Sequence, residues 1–271
     1  MASRSIPLKV KRSFGETLRR DAWWLQPLLI LLGLSAFVIY STWAAFQNEH
    51  YWFTGGGANY LSPFYSPELI GGSTHAIFGP QPDWIPNWLP FSPAFLILWA
   101  PGGFRFTCYY YRGAYYKAFW GDPANCAVGE HRHSYWGERW FPLILQNSHR
   151  FFLYFALLFI LLLAYDAWIA MWFDNPNGTQ SFGIGVGTLV LTANVILLGC
   201  YTFGCHSLRH LIGGKNDEMS KKPISKKCYD CVSSLNIRHQ LFAWLSLFSV
   251  GFSDLYVRLC SMGIWTDYRI F

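Results

Sequence analysis

RFFLYFALLFILLLAYDAWIAMWF, Arg150–Phe173, decides what kind of protein this is. A bilayer span takes about 20 mostly apolar residues. After Arg150 this stretch carries a single carboxylate, Asp166, and it opens and closes on the aromatic rings that favour membrane interfaces. Working outward, the same criterion places spans at Gly183–Cys205 and Leu241–Ile264 on one side, and at Phe91–Tyr111 and Ala22–Phe46 on the other. Pro101, Gly102, Gly103 and Arg105 interrupt the span at Phe91–Tyr111. They predict a kink or a partly unwound segment shielded by protein. Composition agrees: 52% of residues are hydrophobic, 20% aromatic and 13% charged, where a soluble domain carries about 25% charged residues.

The expected architecture is an all-α membrane protein, a five-transmembrane-helix bundle that forms a single membrane domain over 1–271. Its orientation follows from the loops. Lys and Arg number six in 1–20, six in 105–150 and seven in 209–238, with none in 47–90 or 174–186; Arg258 and Arg269 complete the 21. Positive loops stay inside. The N-terminal segment 1–21 and the loops 112–148 and 212–238 are therefore expected in the cytoplasm, and loop 47–90 and the C-terminus outside. The net charge of +6 is then topology rather than a nucleic-acid-binding face. The basic start, MASRSIPLKVKRSFGETLRR, precedes an apolar run too long for a signal peptide and reads as a cytoplasmic lead-in. Loop 47–90, rich in Gly, Pro, Trp and Tyr, reads as a compact aromatic cap. KNDEMSKKPISKKCYDC, Lys215–Cys231, reads as a soluble linker.

With this topology the thiols and imidazoles sort to one side. Cys108, Cys126, Cys205, Cys228, Cys231, His131, His133, His149, His206, His210 and His239 all fall at or near the inner face, and Cys200 slightly deeper. A reducing cytoplasm disfavours disulfides. Any one of these cysteines can be a small buried hydrophobe, but their clustering with ionisable groups at one membrane depth points to function. His206 and His210, in GCHSLRHLIGG, are spaced i, i+4 and share a helical face. His149 opens the third span and His239 the fifth, where His239 can equally act as a helix-start hydrogen-bonding group; Cys108 ends the second. These helix ends can converge at one level. His131 and His133 in GEHRHSYWGER read as solvated, and the lone CYDC pair as plain thiols. Haem takes one or two axial His, and a Rieske-type [2Fe–2S] group takes two Cys and two His. Zinc accepts a similar set. The usual C-x-H and C-x-x-H spacing is absent, so a mixed cluster must draw on separate helices.

TCYYYRGAYYKAFW, QNSHRFF, GCHSLRHLIGG and SDLYVRL resemble the single-chain, five-helix membrane anchor (cytochrome b-like, SdhC-type) of actinobacterial-type succinate dehydrogenase. The resemblance implies a flavoprotein and an iron–sulfur subunit docked at the cytoplasmic face. It implies FAD and further Fe–S clusters in those partners, and electron delivery to a membrane quinone, expected to be menaquinone. It also implies a membrane Rieske-type [2Fe–2S] cluster in place of haem. The candidate metal residues are Cys108, Cys126, Cys205, His149, His206 and His210. Cys205 and His206 are about 100° apart on an unbroken helix, so joint ligation needs distortion. Paired histidines are missing from the outer half of the spans, which disfavours two haems; one inner haem b between His149 and His206 or His210 is the alternative.

A quinone site needs hydrogen-bonding groups beside a flat apolar slot. Tyr109, Tyr111, Arg112, Arg150, Ser207 and Arg209 lie at the right depth, where they can equally form an interfacial belt with snorkelling Arg. Asp254 and Arg258, spaced i, i+4, are expected to form an intramembrane ion pair. The rival functions are a transporter with an inner metal or substrate site, and a passive anchor with inert cysteines. A transporter should carry polar groups across the midplane, where FALLFILLL and TLVLTANVILL have few. Nucleic acid is not an expected partner; membrane lipid is, and a higher oligomer of the complex is possible.

Overall fold

The computed structural model describes residues 13–17, 19–85, 91–123, 127–129, 137, 139–141, 143–214 and 216–271. It is mostly helical. Among the described residues, four helices are long and apolar enough to cross a bilayer. They are α1 (Leu25–Gln47), α5 (His149–Ile169, led in by a 3₁₀ turn from Leu143), α6 (Val186–Phe203) and α9 (His239–Ser261). Each lies within a few residues of an expected span.

The remaining expected span, Phe91–Tyr111, is three consecutive helices: α2 (Pro93–Ile97), α3 (Trp99–Phe106) and α4 (Tyr109–Ala114), followed by a π-helical turn at Tyr115–Phe119. Pro101 has no N–H, so the Ile97 carbonyl loses its helical donor and the first break falls there. The second break is at Cys108. Its N–H bonds back to the Arg105 carbonyl at 3.1 Å, closing a tightened last turn. Cys108 is then extended, with φ −62° and ψ 129°, before the next helix starts. Gly103 lets this broken segment lie against α5, since a Cβ there would come within 2.3 Å of the Phe152 ring.

One end of the bundle is built from loops. β1 (Trp52–Phe53) pairs antiparallel with β2 (Tyr60–Leu61), and β3 (Trp172–Asp174) with β4 (Gln180–Phe182). The C-terminal residues add an isolated antiparallel bridge between Gly185 and Arg269. Gly57, at φ +82°, meets the Asp174 backbone, where an added Cβ would lie 2.3 Å from its carbonyl oxygen. The region around 47–90 is thus an ordered ribbon and aromatic cap over 48–85. At the opposite end, α7 (His206–Gly213) packs on α8 (Pro223–Ile237). The stretch expected as a linker is therefore largely helical. Pro223 at the first helical turn starts it, and Tyr229 packs against Gly213. Cys228 and Cys231 are exposed on α8.

The loop end is tied by buried polar groups. Asp254 accepts from Tyr40 Oη at 2.6 Å and from the Ser62 hydroxyl, and pairs with Arg258 at 3.4 Å. Arg258 also donates to the Glu49 carbonyl at 2.7 Å and stacks its guanidinium over Trp43. Tyr60 donates to Asp267 at 2.8 Å and lies 3.4 Å from the Thr188 hydroxyl. The expected ion pair is present, and it joins α1, the cap and α9.

Candidate functional site

The second end holds the sulfur and imidazole groups. Cys108 and Cys205 are both buried, and both sit at breaks between helices. Cys205, between α6 and α7, has φ −67° and ψ 136°, close to the values at Cys108. Gly204 makes its break possible: an added Cβ would lie 2.8 Å from the Cys200 carbonyl and 3.2 Å from that of Leu235 on α8. The extended residue turns the Cys205 side chain away from the direction taken by His206.

Two thiol–imidazole pairs result. Cys205 Sγ lies 3.2 Å from His149 Nε2, and Cys108 Sγ lies 3.8 Å from His239 Nε2. All four residues line one cavity of about 770 Å³, rimmed by Lys117, Asn147 and Asn236. Each imidazole is clamped by an aromatic ring. His149 stacks on Phe104 at 4.6 Å and 11°, and His239 on Tyr201 at 4.9 Å and 15°; Phe104 and Tyr201 meet edge to face at 5.6 Å. Thr107 fixes the tautomer of His149. Its hydroxyl donates to the Gly103 carbonyl at 2.7 Å, so at 3.0 Å from His149 Nδ1 it can only accept. The ring proton is therefore on Nδ1, and the Nε2 lone pair faces Cys205.

Among the described residues, no three Cys, His, Asp or Glu side chains gather closely enough to hold a single metal ion. The four side chains lie as two separate Cys–His pairs on one cavity. Two thiols and two imidazoles are the complement of a Rieske-type [2Fe–2S] group, and this chain's residues fit it in kind and number.

A second cavity, about 500 Å³, opens beside this one between α1, α3, α4 and α9. Leu34, Phe37, Tyr115 and Leu247 form an apolar slot, with Arg105, Tyr111 and Arg112 as its polar end. Tyr111 is buried and donates to the Ala243 carbonyl at 2.8 Å.

The family described as actinobacterial succinate dehydrogenase subunit SdhC matches residues 25–263. The chain belongs to this family. A chain of the Mycobacterium smegmatis Sdh1 complex in the apo form is similar to it, with a TM-score of 0.85 and 43% identity, covering 98% of this chain and 97% of that one. No curated protein matches. As an SdhC-family subunit with several apolar spanning helices, the chain is a multi-pass protein of the cell membrane and part of a succinate dehydrogenase complex.

The residues singled out from the sequence of this SdhC subunit divide. Cys108, Cys205 and His149 come together. Cys126, like His131 and His133, lies outside the described residues. His206 and His210 turn to each other, Nε2 to Nε2 at 2.9 Å, on an exposed face, although His206 touches the rim of the larger cavity. Burial and then the nearby His210 and Arg209 hold His206 below the usual imidazole range. Of the expected quinone residues, Tyr111 and Arg112 line the slot, while Tyr109, Arg112 and Ser207 line the larger cavity. Arg150 lies over the Phe151 ring and Arg209 over Tyr229, in neither cavity.

Sequence reasoning left His239 and Thr107 out of the site. A signal was available. Phe106-Thr-Cys108-Tyr-Tyr-Tyr-Arg112 and Phe203-Gly-Cys205-His-Ser-Leu-Arg209 share the spacing F-x-C-x-x-x-R. Both cysteine carbonyls accept from the arginine N–H at 3.1 Å, restarting a helix. The two cysteines are thus structural counterparts, and each faces the histidine that opens a spanning helix.

Proposed function

We propose that this chain is the quinone-reducing anchor of succinate dehydrogenase, a five-pass membrane domain with its N-terminus and the cysteine end in the cytoplasm and its C-terminus outside. Its partners are the flavoprotein and iron–sulfur subunits, docked on the basic inner face. The broken segment α2–α4 makes the fifth crossing, shielded by α1 and α5.

Cys108, Cys205, His149 and His239 would hold a [2Fe–2S] group, which supplies one-electron transfer between the partner's clusters and the quinone. The observation that carries this reading is the convergence of the two Cys–His pairs, contributed by separate helix ends, on one cavity. The protein's part is positional. Thr107 presents the His149 lone pair, and Phe104 and Tyr201 hold the imidazole planes. The apolar slot takes the flat quinone ring, with Arg112 as the hydrogen-bond donor at the carbonyl end and Tyr111, committed to the Ala243 carbonyl, as a wall. Haem is supported less well, because each imidazole faces a thiol and is covered by an aromatic ring.

The test is low-temperature EPR of the purified, dithionite-reduced complex. Cys205→Ser and His239→Ala should each remove the reduced-state signal of a [2Fe–2S] group with mixed Cys/His ligation. Quinone reduction should fall by more than about 100-fold, while electron transfer from succinate to a soluble dye persists. A haem α-band lost on replacing His149 would overturn the cluster.

A further inference from the structure

Arg105 projects from the last turn of α3, three residues before Cys108. Its guanidinium donates to Tyr111 Oη at 3.0 Å, to the Ala243 carbonyl at 3.2 Å and to Ser246 Oγ at 2.8 Å, and it lies 4.7 Å from the centre of the Tyr201 ring. Every one of these partners is neutral. Among the described residues, Arg105 has no carboxylate within ion-pair distance. Arg258 in α9 is handled differently, since it has Asp254.

A cation in this setting is costly unless a negative charge offsets it. The position says where that charge arises. Tyr201, which carries Arg105 against its ring, also stacks on His239. Tyr111, which accepts from Arg105, is a wall of the apolar slot, and Arg105 itself lines that slot. Arg105 thus stands between the Cys–His pairs and the slot, in contact with a wall of each.

We propose that Arg105 is the standing countercharge for the electron that reaches the Cys–His centre, raising that centre's reduction potential; this rests on the cluster reading above. An iron–sulfur group gains one unit of negative charge on reduction, and net charge around it is one of the terms that set its potential. A fixed guanidinium held by neutral partners favours the reduced state without any proton having to move. Three uncharged groups hold it in place, so its own position does not depend on the redox state. Arg105 does not need to ligate the group to do this, and its role differs from those of Thr107, Phe104 and Tyr201, which position the imidazoles.

The experiment is an EPR-monitored redox titration of the whole purified complex. In Arg105→Gln the reduced-to-oxidised ratio at fixed potential should fall at least tenfold, a drop of 59 mV for a one-electron couple. Arg105→Lys, which keeps the charge, should stay near the wild-type midpoint. Should Arg105→Gln not assemble, Ser246→Asp gives the same test by setting a carboxylate against the guanidinium, with Ser246→Asn as the neutral control of equal size. The aspartate should lower the midpoint and the asparagine should not. An unchanged midpoint in Arg105→Gln, an equal fall in Arg105→Lys, or equal behaviour of the two Ser246 variants overturns the countercharge while the cluster stands. A wild-type complex with no such signal overturns the cluster reading, and this inference with it.

Discussion

At the loop end, Asp254 is met by Tyr40, Ser62 and Arg258, Tyr51 donates to Glu68 at 2.8 Å, and Ser66 donates to Asp166. At the cysteine end, among the described residues, Tyr201 Oη, His239 Nδ1 and Arg209 Nε are buried without a hydrogen-bond partner; at the loop end the same holds for Ser253 Oγ. Unpaired buried polar groups are costly, and native proteins keep few of them without a reason. The loop end spends its polarity on closing the structure. The cysteine end leaves His239, on the wall of the larger cavity, available to something that binds. The same residue types, arginine and tyrosine above all, serve both ends, but Arg258 is paired with Asp254, whereas among the described residues Arg105 has no carboxylate within ion-pair distance.

The comparison is broken most directly at Asp254. Asp254→Ala leaves Arg258 buried without its anion, and we expect a loss of about 3–5 kcal/mol, read as a lower thermal midpoint of the detergent-solubilised complex. Gly103→Ala probes the contact that sets the broken segment against α5. The added Cβ meets the Phe152 ring, a side chain able to move, so the expected cost is about 1–3 kcal/mol, with the EPR line shape of the proposed centre altered because Phe104 and Cys108 shift together. Tyr60→Phe removes the bond to Asp267 at the loop end. It should cost about 1 kcal/mol by the same thermal assay and leave quinone reduction unchanged. The smallest effect belongs to the exposed imidazoles: His206→Ala and His210→Ala should stay within about 0.5 kcal/mol of wild type and retain the reduced-state signal. Loss of that signal in either variant would place the centre on the α7 face and erase the contrast drawn here.

Much of the fold was legible because hydropathy states it directly. The spans expected at Arg150–Phe173 and Gly183–Cys205 differ from α5 and α6 by a few residues at their ends. The broken segment was legible as an interruption but not in its placement. Pro101 acts four residues upstream, on the carbonyl of Ile97, and the break at Cys108 depends on a tightened turn that no composition rule marks. The site was half legible. Depth along the membrane can be read from charge counts, and Cys108, Cys205 and His149, which those counts put at one depth, do line one cavity together with His239. Direction around a helix cannot be read once the helix is broken. His206 and His210 share a face, as their spacing says, but the extended Cys205 turns that face away from the other thiol. His239 was passed over because a histidine at a helix start has an ordinary capping role, and only its 3.8 Å approach to Cys108 distinguishes it.

The cavity holding the two Cys–His pairs is lined by helix ends and by Lys117, Asn147 and Asn236, and on the proposed reading it lies on the face where the soluble subunits dock. The surface those subunits would cover is then an approach to it from water. On the proposed reading this sets an order for biogenesis: the inorganic group would be inserted from the cytoplasm into the bare anchor before the catalytic head arrives. The chain would then act as a checkpoint, with a cluster-loaded inner face as the template for assembly and an unloaded anchor recognisable as immature.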